Sequence, residues 1–169
     1  MKTTLYLTSS ADGYIASSDH SVPWGSEAWD TFISFCAQYK NVIVGAKSYE
    51  LMHAANDLEK FNVSRCIVVS KKLTSVPEPE ALIVRDPRAA IEVLQKEGFE
   101  LALLSGGRAL AQSFLEQRLV DELVLDIQPV ILGQGIKMPS LTESLLKLEL
   151  IESRKSGAGS VLMRYGVSY

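Results

Sequence analysis

Leu101-Ala102-Leu103-Leu104-Ser105-Gly106-Gly107-Arg108-Ala109-Leu110 reads as an apolar strand that turns through two glycines into a helix. With no Cβ in the way, the glycines let the backbone pass close to a ligand. The helix start then offers N–H groups that lack intrahelical partners, together with a partial positive charge. That pairing suits a phosphate or pyrophosphate, although a tight turn without a ligand uses the same residues. A second junction, Val44-Gly45-Ala46-Lys47-Ser48, repeats the pattern and adds a cation and a hydroxyl. It is not a P-loop, because Gly-x-x-x-x-Gly-Lys-Ser/Thr is absent. Two such junctions on one sheet suggest a ligand with two phosphate groups lying across the carboxyl edge. Ser70-Lys71-Lys72 either adds charge for a further phosphate or forms a solvated turn.

Outward from these junctions, short β-rich runs alternate with helical patterns. Strands are expected over residues 3–8, 41–45, 65–70, 81–84, 101–104 and 120–128. Residues 146–154 and 160–168 form a hairpin around Ser156-Gly157-Ala158-Gly159. Helices are expected from a Ser26 cap to Tyr39, from near Lys47, over Arg108–Glu116, and from Pro87 behind an Asp86 cap. Gly98 is a favourable stop for the helix that begins at Pro87. The count is eight strands and four helices in one domain, with a mainly parallel sheet and an antiparallel tail. Between the first strand and the first helix, residues 9–22 read as a long functional loop that closes over a site.

Composition narrows the class. The chain has 169 residues, 47% hydrophobic and 22% charged, with a net charge of −3. That length suits one domain burying roughly 70% of its unfolded surface. The charge lacks the basic footprint of a nucleic-acid binder. No apolar run approaches the roughly 18–20 residues of a membrane span. The N-terminus shows no signal-peptide core, so a cytoplasmic protein is expected. Cys36 and Cys66 lie in apolar stretches and are expected as buried free thiols. His20 and His53 show no metal spacing, so no metal site is expected.

Among the acids, Asp126 interrupts the apolar run Leu123-Val124-Leu125-Asp126-Ile127. A buried carboxylate is costly unless paired, and such groups often mark sites. A strand partly open to solvent would also accommodate it. Glu27 and Asp30 fall on the first helix, on a catalytic or a solvated face. Trp24 lines a pocket or packs.

These motifs together resemble the dihydrofolate reductase superfamily. Within it the chain is most similar to the reductase domain of the riboflavin-biosynthesis deaminase–reductase, the RibD C-terminal domain, and its stand-alone relatives. The resemblance runs through residues 10–16, 42–50, 104–107, 119–123 and 129–135 and covers nearly the whole chain. It implies a three-layer α/β fold, NADPH as hydride donor, and a small heterocyclic substrate, either pterin-like or a 5-amino-6-(5-phosphoribosylamino)uracil-like compound. By that resemblance, Gly45, Ala46, Lys47 and Ser48 hold the pyrophosphate from one side. Ser105, Gly106, Gly107, Arg108, Ala109 and Leu110 hold it from the other. Ser70 and Lys71 face the 2′-phosphate, and Thr8, Ile15 and Ala16 lie along the nicotinamide.

Ser10, Asp12, Trp24, Trp29 and Tyr49 are assigned to the substrate. Folate reductases carry a pterin-binding carboxylate on the first helix, but its place here is Trp29, between the acids Glu27 and Asp30. Asp126, Asp30 and Glu27 are therefore the candidate catalytic acids, with Asp126 supplying the pocket carboxylate from the opposite wall. No zinc-deaminase signature occurs in the sequence. The alternative to a reductase is a nucleotide-binding module without catalysis, which the missing acid favours. A homodimer is expected, because the terminal strands carry apolar residues on both alternations.

Overall fold

The computed structural model of the chain describes residues 1–140, 145–157 and 159–169. Ala158 of the expected hairpin turn lies outside them. The elements run β1 (Lys2–Ser10), β2 (Tyr14–Ala16), α1 (Ser26–Tyr39), β3 (Asn41–Gly45) and α2 (Ala46–Ala54). A turn of 3-10 helix over Leu58–Phe61 leads to β4 (Arg65–Val69), β5 (Ala81–Val84), α3 (Pro87–Lys96), β6 (Leu101–Ser105) and α4 (Arg108–Glu116). The chain ends with β7 (Glu122–Gln128), β8 (Ile136–Lys137), β9 (Lys147–Ser156) and β10 (Ser160–Ser168).

Eight strands form one sheet in the order β5-β4-β3-β6-β1-β7-β10-β9. The strands from β5 to β7 are parallel, and β10 and β9 close the sheet antiparallel. β3 and β4 are near-continuous apolar runs because helices cover both of their faces. Val42, Ile43, Val44, Cys66, Ile67 and Val68 are completely buried. On one face α3 and α4 pack Ala90, Leu94, Ala111 and Phe114 against Leu5, Ile43, Ile67 and Leu104. On the other, α1 packs Phe32, Phe35 and Cys36 against Tyr6, Val44, Leu103 and Val124. The result is the expected three-layer α/β fold.

Local signals account for several boundaries. Asp86 takes extended backbone, and its carboxylate accepts the Ala89 N–H at 3.0 Å ahead of Pro87. Gly98, at φ +84°, follows α3 in a conformation that costs other residues strain. Ser26, by contrast, is the first helical residue of α1 rather than its cap. The N-cap is Gly25, which makes no side-chain bond. The two thiols are completely buried, and burial pushes Cys66 up to about 12 and Cys36 higher still. They are inert in this state.

The expected loop over residues 9–22 does not exist as one piece. β1 continues through Ser10, and β2 pairs antiparallel with β8. These two short strands were not expected from sequence. Asp12 accepts the Leu132 and Gly133 N–H groups at 3.1 and 2.7 Å. The Ser10 hydroxyl and these two donors lower its carboxyl to about 2. Ser10 Oγ accepts the Tyr14 N–H at 2.9 Å. Gly135 lies where any Cβ would meet Ala16 O at 2.3 Å, so the close β2–β8 approach requires glycine.

β3 and β6 share the single register pair Ile43↔Leu104. Completely buried Asn41 completes that seam. Its amide donates to Tyr39 O and Leu101 O at 2.9 and 2.8 Å, and its Oδ1 accepts the Leu103 N–H at 3.2 Å. Buried polar groups left without partners cost about 1–3 kcal/mol each. Asn41→Ala is therefore expected to lower unfolding stability by about 2–4 kcal/mol, read by urea denaturation.

Candidate active site

The carboxyl ends of the parallel strands open into one cavity of about 1270 Å³. Single-ligand sites occupy roughly 300–1,000 Å³, so a nucleotide and a second molecule have room together. Every residue assigned above to the nucleotide lines this cavity, from Thr8, Ile15 and Ala16 to the two glycine junctions. Gly45 and Gly107 are the N-caps of α2 and α4, and neither makes a side-chain cap bond. The first-turn N–H groups of both helices are therefore open to an anion. The junctions meet at Gly106, where a Cβ would lie 3.2 Å from Leu110 Cδ2 and 3.4 Å from Gly45 N. Only glycine leaves that gap free.

Cations surround the junctions. Lys47 and Arg108 stand in the first turns of α2 and α4, and Lys71 follows β4. Arg85 was not anticipated. It follows β5 and donates to Ser70 O and Leu73 O, each at 2.8 Å. The parallel β4–β5 pairing brings the ends of both strands together, and that adjacency was the available signal. Ser70 Oγ accepts the N–H groups of Lys72 and Leu73, which leaves its hydroxyl hydrogen free to donate.

The other half of the cavity lies between β1 and α1. Tyr6, Trp24, Trp29 and Phe32 line it, with Leu51 and Met52 of α2 opposite. The rings brace one another: Tyr6–Phe32 centroids are 5.4 Å apart and Trp29–Phe32 5.5 Å. Phe61, from the 3-10 turn, backs both Trp29 and Phe32.

Trp24 and Trp29 line the cavity, but five other residues singled out from the sequence do not reach its wall. Ser10 ends β1 and bonds Tyr14 of β2, and Asp12 in the turn between them holds Leu132 and Gly133 ahead of β8, so both brace the β2–β8 strap. Buried Tyr49 points its hydroxyl to Glu78, which also holds His53. Exposed Asp30 faces outward on α1. Glu27 lies beside Gly157 in the hairpin turn, where a Cβ on the glycine would come within 2.8 Å of Oε2.

Asp126 is completely buried, one layer behind the wall. It is in register with Thr8 on β1 and Leu162 on β10. The Tyr6 hydroxyl donates to its Oδ2 at 3.2 Å, and its Oδ1 has no hydrogen-bond partner. Burial raises the carboxyl above its usual range, against the opposing pull of the Tyr6 bond. Burial and the Asp126 charge together push the Tyr6 hydroxyl far up. Tyr6 itself lines the cavity, so the carboxyl stands one residue behind it.

Comparison with known proteins places this architecture. Uncharacterized protein YwjB of Bacillus subtilis (strain 168) is 26% identical over 161 residues, spanning 92% of each chain. YyaP of the same organism is 25% identical over 173 residues, spanning 95% of this chain and 92% of its own. A protein described as a riboflavin biosynthesis protein from Shewanella sp. PV-4 superposes with TM-score 0.83 at 22% identity, all of each chain covered. RibD of Acinetobacter baumannii gives TM-score 0.75 at 18% identity, over 99% of this chain and 58% of its own. The model of the RibD C-terminal domain family matches residues 2–162, so the chain belongs to that family.

Proposed function

We propose that the protein is an NADPH-dependent reductase acting on a small heterocyclic compound. The observation that carries this reading is the cavity itself. It joins two uncapped glycine helix starts, a cluster of cations and an aromatic pocket on one sheet edge. The α2 and α4 starts, with Lys47 and Arg108, would hold the pyrophosphate. Lys71, Ser70 and Arg85 would hold the 2′-phosphate and favour NADPH over NADH by charge. Thr8, Ile15 and Ala16 would flank the nicotinamide, and the β2–β8 strap fixes that wall. When bound, the reduced nicotinamide supplies a hydride to an electrophilic carbon.

The chain's own residues orient the substrate, exclude water and supply a proton. Tyr6 is the group on the wall that can give one. Asp126 lies behind it as a positioning residue with a raised pKa, able to reprotonate Tyr6 after transfer. Of the two roles the sequence leaves open for Asp126, binding a ring N–H or relaying a proton, this reading takes the relay. Along its outer edge β9 pairs with no strand among the described residues. Leu150 is 56% and Ile151 54% exposed there. A second copy of the chain is the proposed cover.

Four outcomes test this reading. Nicotinamide fluorescence should show NADPH binding, and Lys71→Ala with Arg85→Ala should weaken NADPH about tenfold or more while barely affecting NADH. NADPH that binds but is never consumed with any heterocycle would point to a nucleotide-binding module instead. Asp126→Asn should lower turnover about ten- to a hundredfold, with NADPH affinity held within about twofold; unchanged turnover would discard the relay.

The same variant carries a pH signature in stability. Folded Asp126 binds its proton more tightly than the unfolded chain does. Its contribution is therefore full below the unfolded carboxyl pKa and is lost as pH rises through the folded one. Tm should fall across that window in the parent protein and flatten in Asp126→Asn, as read by scanning calorimetry. Light scattering should give twice the chain mass, and Ile151→Lys should return it to one.

A further inference from the structure

Three helices, not two, open on the cavity with an uncapped glycine. α1 does so at Gly25, which lines the aromatic half with Ser26. The three starts differ in charge. The first turns of α2 and α4 hold Lys47 and Arg108 and no acid. The first turn of α1 holds Glu27 and no base. An acid in that position offsets the positive end of the helix and repels a second anion.

The remaining charges of the cavity divide in the same way. Lys47, Lys71, Arg85 and Arg108 all stand at the β3–β5 and α4 junctions. Among the described residues no Lys or Arg lines the half between β1 and α1. The ionisable side chains on its rim are Asp57 and His20. Asp57 is already paired, accepting from Lys60 Nζ at 2.6 Å. Phosphate recognition calls for Arg, Lys or an unopposed helix start, and burying a phosphate without one is costly. The aromatic half offers stacking faces and neutral hydroxyls, those of Tyr6 and Ser26.

We infer that the substrate is an uncharged planar heteroaromatic ring that carries no phosphate, stacked in the pocket of Trp24, Trp29 and Phe32. The inference rests on the reductase reading above and narrows it. Of the two heterocycle classes implied by resemblance, it sets aside the ribose-phosphate compound. The chemistry is a two-electron reduction by a reduced nicotinamide nucleotide. A hydride adds to a ring carbon, the C=N or C=C π pair moves to the neighbouring atom, and the Tyr6 proton adds there. The Tyr6 oxygen then takes a proton from Asp126, and the pair regains one from water through Tyr6 after the product leaves.

Trp24 and Trp29 are the two tryptophans of the chain, so its indole emission reports on this pocket. The test titrates the full chain, saturated with NADP+, with rings matched except for phosphate: riboflavin against FMN, guanosine against GMP, and uridine against UMP. Quenching is corrected for absorbance. At least one phosphate-free ring is expected to bind, about tenfold or more tighter than its phosphorylated partner. Glu27→Lys should give α1 the polarity of α2 and α4. It should raise affinity for the phosphorylated rings about tenfold and leave NADP+ affinity unchanged. Tighter binding of any phosphorylated member by the parent protein, or no quenching by any phosphate-free ring, overturns the inference. Failure of NADP+ itself to bind, read separately by calorimetry, overturns the reductase reading beneath it.

Discussion

β6 enters the sheet between β3 and β1, and the rest of the molecule depends on that insertion. The chain first builds outward from β3 to β5, then returns to fill the space it left beside β1. Because all these strands are parallel, their carboxyl ends reach one edge. The reversal of strand order then leaves a crevice where two connections diverge to opposite faces. The seam is thinly laddered at Ile43↔Leu104, and buried Asn41 supplies backbone partners beside it. Here the α2 and α4 junctions come close enough for Gly106 to face Gly45 N. A side chain that looks purely structural thus positions the most chemically specific part of the site.

The insertion also explains how a chain with net charge −3 gathers cations and open helix starts at one edge. Net charge acts at long range and is screened within about 8–10 Å at ordinary salt. Binding is decided by what lies at the crevice, and there two helix starts and the cations beside them face inward. The same backbone arrangement recurs at α1 with the opposite first-turn charge. One sheet edge therefore presents two electrostatic environments side by side. Fold alone does not assign ligands to a site; the residues in each first turn do.

The parts legible in the sequence follow short-range rules. Glycine after an apolar strand marked both junctions, and Asp86-Pro87 marked the start of α3 with its cap bond in place. What escaped required knowledge of contacts between distant segments. β2 and β8 are too short to carry an alternating pattern and exist because Asp12 and Gly135 hold two loops together. Arg85 joins the cation cluster of the cavity only because β5 lies beside β4. Tyr49 carries a ligand-like residue type beside a ligand-like motif, yet one helical step turns it toward Glu78.

Asp126 shows the same limit more sharply. Its interruption of an apolar strand correctly marked a buried carboxyl, but strand periodicity gives only a face, never a depth. Thr8 and Asp126 stand in register on adjacent strands, yet the cavity ends at the first and not at the second. Tyr6 makes the difference: its hydroxyl takes the place that a substrate atom would need in order to touch the carboxyl. A buried carboxyl with one oxygen unpartnered is a lasting cost to the fold. Burial behind Tyr6 raises the carboxyl's pKa, while the Tyr6 bond itself opposes that rise. An acid in such a place meets the cavity only through its neighbour, so any part it takes in chemistry runs by way of Tyr6.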